Sequence, residues 1–116
     1  MTAGLDPVIH APVRLQIAAL LSAVDDAEFA TVRRAVGVSD SVLSKHLAQL
    51  SDVGYVKLRK ASFGGRQRTW LSLTTEGRRA FMEHMRALEA LISAAQAAPK
   101  TLAPLPRPRG GLAPAR

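Results

Sequence analysis

The stretch Phe29 to Leu50, FATVRRAVGVSDSVLSKHLAQL, constrains the chain more than any other, because two helical periods meet there at a glycine and a helix-start signal. The spacing predicts a first helix from Thr31 to Val36, after which Gly37 supplies the backbone freedom of a sharp reversal. Ser39 is then a good N-cap whose hydroxyl can accept an orphan amide, and Asp40 lies where the positive end of the helix dipole favours a carboxylate. In the second helix Leu43, Leu47 and Leu50 share one face, which leaves Asp40, Ser41, Ser44, Lys45 and Ala48 on the other. That outer face is short-armed. A helix that needs only to be soluble usually carries long Glu and Lys side chains there, whereas one that enters a DNA major groove needs residues allowing close approach. The pattern is that of a helix-turn-helix. Arg33 stands four before the turn glycine, where that pattern usually has a small residue, and two helices joined by a glycine turn also occur in proteins with no DNA role. The rest of the chain has to decide.

At 116 residues and 47% apolar content the chain supports one compact core. Its formal net charge of +7 favours a polyanionic partner. The location of that charge is more informative. Residues 98–116 hold Lys100, Arg107, Arg109 and Arg116 with no acid, and within the body Lys57 to Arg79 contains seven basic residues against one acid, Glu76. There is no cysteine, which excludes disulfides, thiolate zinc sites and cysteine redox chemistry. No run of about 18 apolar residues could span a membrane, and the N-terminus lacks the pattern of a secretory signal, so a cytoplasmic location is expected. No phosphate loop, Ser-His-Asp set or close carboxylate pair is legible, so no catalytic residue and no cofactor are expected and the chain does not read as an enzyme.

Before the central stretch, Pro7 and Pro12 suit the first turns of helical segments, and Val13, Ile17, Leu20, Leu21 and Val24 predict a helix over 12–24. Glu28, Phe29 and Ala30 suit a short strand or extended entry. After the central stretch the period changes to two. Val56 and Leu58 alternate with Lys57 and Arg59, then Thr69, Leu71 and Leu73 alternate with Arg68, Trp70 and Ser72, as in two half-buried strands. SFGGRQR lies between them, and Gly64-Gly65 allows the positive φ angles of a hairpin tip. Lys57, Arg59, Lys60, Arg66 and Arg68 give this hairpin a basic tip and outer face, and all five are candidates to meet phosphate.

The order helix, short strand, helix, helix, basic hairpin resembles the winged helix of small bacterial transcriptional regulators related to the MarR and ArsR families. The resemblance spans residues 5–95 and is carried by Phe29, Leu43-Ser44-Lys45-His46-Leu47, Gly54-Tyr55, the run Lys60 to Arg66, Leu73-Thr74 and Gly77-Arg78. It implies a mainly α fold with a small β-hairpin, in which the helix Ser39 to Asp52 reads the major groove and the hairpin acts as a wing. It further implies a dimer, and the expected function is that of a regulator, expected to be a repressor, that binds double-stranded DNA as a homodimer; nothing in the residues separates activation from repression. Ser41-Val42 and the long basic tail depart from the family pattern.

Thr74 can N-cap a last helix from Thr75 to about Ala97, with Glu76 in its first turn. Phe81, Met85, Leu88 and Ile92 recur at four, three and four residues and Leu91 widens the stripe, as in a two-helix seam. A helix about 30 Å long overhangs so small a body, so these five residues are the expected dimerisation face and a two-fold dimer calls for a palindromic operator. From residue 98 the chain has five prolines, two glycines and no apolar period, so 1–97 is read as the folded domain and 98–116 as a disordered basic tail.

Several features have plainer readings. His10, His46 and His84 are scattered and are poor metal ligands without cysteine or i, i+4 pairing; His46 fits a packing role beside the leucines. Trp70 faces out and is expected to cover the stems of Lys57 or Arg59. Winged helices also serve as protein-interaction modules, but five basic residues and a bare glycine tip favour DNA. RNA is disfavoured, since its A-form major groove excludes a recognition helix and no aromatic platform is visible. No residue identifies a small-molecule effector.

Overall fold

The computed structural model describes residues 4–101 and Pro104. The chain runs α1 (Pro7–His10), α2 (Pro12–Ser22), β1 (Ala27–Glu28), α3 (Phe29–Val36), α4 (Asp40–Asp52), β2 (Val56–Phe63), β3 (Arg66–Leu73) and α5 (Thr75–Ala97). This is the mainly α architecture with a small hairpin that the sequence predicts. Its sheet is antiparallel with the order β1-β3-β2, so the two-residue strand β1 closes the hairpin on its far edge. None of the described helices is long and apolar enough to cross a membrane. The expected tail over 98–116 lies outside the described residues except for Ala98 to Thr101 and Pro104.

Caps account for where the helices begin. Asp6 caps α1 by accepting from the amides of Val8 and Ile9, Ser39 caps α4 by accepting from Val42, and Thr74 caps α5 by accepting from Gly77. Gly37 ends α3 at φ 80°, the left-handed conformation a side chain would resist, and so turns the chain into α4. The predicted α3 began at Thr31, but Phe29 and Ala30 are already helical because β1 ends at Glu28.

The leucine face of α4 enters the main core. Leu43, Leu47 and Leu50 pack with Ile17 and Leu21 of α2, Val32 of α3, and Val56, Leu71 and Leu73 of the sheet. Each such buried aliphatic side chain contributes about 1.5–3 kcal/mol. A second cluster joins Ile9, Ala18 and Phe81, with Met85 and Tyr55 at its margin. One feature of α2 differs from expectation: Leu20 and Val24 are 40% and 41% exposed. The helix stops at Ser22, and the Arg78 guanidinium of α5 donates to the carbonyls of Ser22 and Val24 at and beyond its end. Gly77 explains why α5 can cross so close by. A Cβ there would lie 2.1 Å from the carbonyl oxygen of Tyr55, the same oxygen that accepts from the Thr74 amide.

Candidate nucleic-acid interface

Helix α4 exposes the side predicted from its sequence. Ser39, Asp40, Ser41, Ser44 and Lys45 are all exposed, as is Ala48, while the leucines one step round the helix are buried. The helix is held from behind by Arg14 of α2. Its guanidinium donates to the Val8 carbonyl, to the Gln49 side chain and, at 3.1 Å, to Nδ1 of His46. His46 is half-buried in this contact, the packing role its position between leucines indicated. Arg14 was not legible as a positioning residue, because its partners on α4 lie 32 and 35 residues away.

Asp40 is not free. Its carboxylate pairs with Arg33 Nε at 2.9 Å across the turn, which gives a reason for a long side chain where a small one was expected.

The hairpin is an eight-residue by eight-residue ladder in which Val56 faces Leu73 and Phe63 faces Arg66, closed by Gly64 and Gly65 at φ 62° and 80°. Both central residues with positive φ suit a two-residue turn whose twist matches the strands. The register puts Lys57, Arg59, Phe63, Arg66, Arg68 and Trp70 on one face and Leu58, Lys60, Thr69 and Leu71 on the other. Leu58, expected to be half-buried, is 44% exposed, because β2 is an edge strand and Leu58 lines the open groove beside α4.

The five candidate wing cations fall into two groups. Arg59 pairs with Asp26 at 2.8 Å, and Arg68 pairs with Glu28 at 2.6 Å while lying over the Phe63 ring at 5.6 Å. Trp70 stands directly across from Arg59 in the ladder, is half-buried, and meets Phe63 edge-on at 6.1 Å. On this outer face Arg59 and Arg68 are therefore matched by carboxylates beside aromatic rings, while Lys57 and Arg66 on the same face keep it basic. Lys57, Lys60 and Arg66 are exposed and have no ion-pair partner among the described residues. A groove of about 430 Å³ brings helix and hairpin together, lined by Asp40 and Ser44 from α4, Leu58, Arg59 and Lys60 from β2, Thr69 from β3, and Phe29.

This arrangement matches a family model described as a winged helix DNA-binding domain over residues 13–92. The chain belongs to that family. Among curated proteins, an uncharacterised protein of Methanocaldococcus jannaschii is 31% identical over 78 residues, which cover 67% of this chain and 85% of that one. Among solved structures, a transcriptional regulator homologue from Pyrococcus horikoshii OT3 superimposes with a TM-score of 0.72 at 26% identity, covering 76% of this chain and 87% of its own. The heme sensor protein PefR from Streptococcus agalactiae shares the fold at a TM-score of 0.67 and 21% identity, over 78% of this chain and 63% of its own. The first two sources are archaeal, so the expected likeness to bacterial proteins extends beyond bacteria.

In this winged helix, the five residues expected to form the dimer seam take three different environments. Phe81 is 8% exposed and packs on Ile9 and Ala18, Met85 is half-buried against the same cluster, and both serve the chain's own core. Leu88 is half-buried. Leu91 and Ile92 are 55% and 57% exposed, within the last two turns of α5. Phe81 is thus corrected from seam to core, because α1 and α2 reach far enough along α5 to cover it.

Although 74 residues apart in sequence, His10 and His84 lie at hydrogen-bonding distance, 3.1 Å, and His84 is fully buried.

Proposed function

We propose that the protein is a sequence-specific regulator of transcription that binds double-stranded DNA as a homodimer and represses from a palindromic operator in the cytoplasm. The observation that carries this reading is the shared groove in which Ser44 of α4 and Lys60 of the wing stand together. A helix entering the major groove with its N-terminal residues at base edges brings the wing cations to the flanking phosphates. Within the proposed interface Ser41, Ser44 and Lys45 meet bases, Ser39 keeps its capping role at the groove edge, and Lys57, Lys60 and Arg66 meet phosphate. Asp40 acts as a pair with Arg33, and Arg59 and Arg68 contribute by stiffening the wing. The proposed dimer seam is Leu88, Leu91 and Ile92, with Phe81 and Met85 supporting it from the core beneath. The archaeal structure described as a transcriptional regulator homologue supports the regulatory reading.

Selection of bound duplexes from a random pool, followed by genome-wide mapping of occupied sites, tests the proposal. Inverted half-sites about 10 base pairs apart centre to centre are expected. Enrichment without any sequence preference would sink the specific-regulator reading. A winged helix serving as a protein-interaction module would enrich no duplex at all.

A further inference from the structure

The N-terminal segment is held to the body by a polar cluster that the DNA-binding reading does not use. His84 of α5 is 0% exposed, with its Nδ1 3.0 Å from the Asp6 amide nitrogen and its Nε2 3.1 Å from Nδ1 of His10. A backbone amide can only donate, so Nδ1 of His84 has to be a bare acceptor. The proton of the neutral ring then sits on Nε2 and is donated to His10, whose own Nδ1 must likewise be bare. Both rings are neutral in this arrangement and both tautomers are set. Asp6 completes the cluster: one carboxylate oxygen accepts from the amides of Val8 and Ile9 and the other from the Tyr55 hydroxyl at 2.6 Å. Ile9, 1% exposed, is the apolar plug of the same segment.

We infer that His10 and His84 form an acid-sensitive latch, which docks the segment Gly4 to Ala11 on α5 while both rings are neutral and releases it when the pair takes up a proton. A proton on Nδ1 of His84 opposes the Asp6 amide head-on, and a proton on Nδ1 of His10 opposes the Nε2 proton of His84. The charged and titratable groups around the pair and the neighbouring Tyr55 are Asp6 before α1, Arg14 of α2, and, on the Tyr55 side, Glu76 and Glu83 of α5. Asp6 favours a charged His84, but its oxygens already serve Tyr55 and α1. Burial, followed by the neighbouring His10, outweighs it and holds His84 below its ordinary value of 6.5. A histidine depressed in the folded state leaves docking fully favoured above its unfolded value, and docking is lost as pH falls below it. The latch adjoins the turn of α5 that precedes Leu91 and Ile92, so its release alters the helix on which pairing is proposed; the latch itself does not depend on DNA binding.

Two measurements on the full-length protein test it. Nitrogen-15 spectra of the histidine rings at pH 7.5 are expected to show His84 protonated at Nε2 and bare at Nδ1; a proton at Nδ1 would overturn the latch. Hydrogen-exchange protection factors at Asp6, Val8 and Ile9 are expected to fall toward a limit of about tenfold per pH unit as pH drops from 7.5 to 5.5. Protection at Leu43 and Leu71 should hold over the same range. Flat protection in the segment, or parallel loss throughout the core, contradicts the proposal. His84→Asn keeps a side-chain oxygen where Nδ1 accepts and removes the buried ring, leaving only exposed His10 of the pair, so the pH response of its segment should shrink; a pH response equal to wild type also refutes the latch. Should His84→Asn fail to fold, the ring spectra and the wild-type exchange profile decide alone.

Discussion

Arg33 and Asp40 face each other across the helix-turn-helix reversal, Nε to Oδ1 at 2.9 Å, and so tie α3 to the first turn of the recognition helix. In the proposed DNA complex this pair offsets a carboxylate that stands near the phosphates. Asp40 is 80% exposed as a side chain, so the pair is worth only about 0.2–1 kcal/mol to folding. Arg33→Ala is therefore expected to leave thermal stability almost unchanged while weakening binding to every DNA sequence. Adding Asp40→Asn should restore most of that affinity. Equal binding by Arg33→Ala and wild type in a titration would remove the pair from the interface.

The division of the wing cations makes a second expectation. Arg66→Ala and Lys60→Ala should each lower the slope of log affinity against log salt by about 0.9, the value of one phosphate contact. Arg68→Ala should lower it less and act mainly on stability, since it strands Glu28, whose side chain is 21% exposed. Losing a charged hydrogen bond of this kind costs about 1–3 kcal/mol. Denaturant melts paired with salt titrations separate the two behaviours.

Gly77 is expected to resist replacement even though alanine is the better helix former by about 1 kcal/mol. Its Cβ would overlap the Tyr55 carbonyl at 2.1 Å, and that carbonyl cannot swing aside without losing the Thr74 amide. Gly77→Ala should destabilise by about 1–3 kcal/mol, the usual cost of overpacking. A melting temperature at or above wild type would contradict the close crossing of α5.

Leu91→Glu with Ile92→Glu should convert a dimer to a monomer in sedimentation without loss of helical circular dichroism. Both residues are more than half exposed in the single chain, so its own core loses nothing, whereas burying unpaired charges at a seam costs about 3–5 kcal/mol each. Operator binding is expected to fail together with dimerisation. The same two substitutions leaving a dimer intact would move the seam elsewhere.

Tyr55 offers a spectroscopic check at alkaline pH. Its hydrogen bond to Asp6, reinforced by burial and by the nearby carboxylates, raises its pKa from 10.0 to about 12. The folded state thus retains a proton that the unfolded state gives up at lower pH. The associated stability is complete below the unfolded value and declines as pH rises from 10.0 toward about 12. Absorbance at the tyrosinate band should show this late titration, and an ordinary value near 10 would break the Asp6–Tyr55 contact on which the N-terminal cap depends.

What the sequence by itself determined is whatever rests on short-range rules. The leucine spacing of α4, the caps Ser39 and Thr74, the left-handed turn at Gly37 and the alternation of the hairpin each involve residues a few positions apart, so their hydrogen bonds and faces follow from local geometry. Tertiary structure alone decided which charges are matched. Arg59 and Arg68 find Asp26 and Glu28 across 33 and 40 residues, while Arg66, alike in sequence, stays unpaired among the described residues at the tip. It also separated Phe81 from Leu91 and Ile92 on one continuous apolar stripe, because only the packing of α1 and α2 sets where the body ends along α5. His10 and His84 meet for the same reason. Periodicity assigns a residue to a face, but which partner that face meets depends on how distant elements pack, and no local rule carries that information.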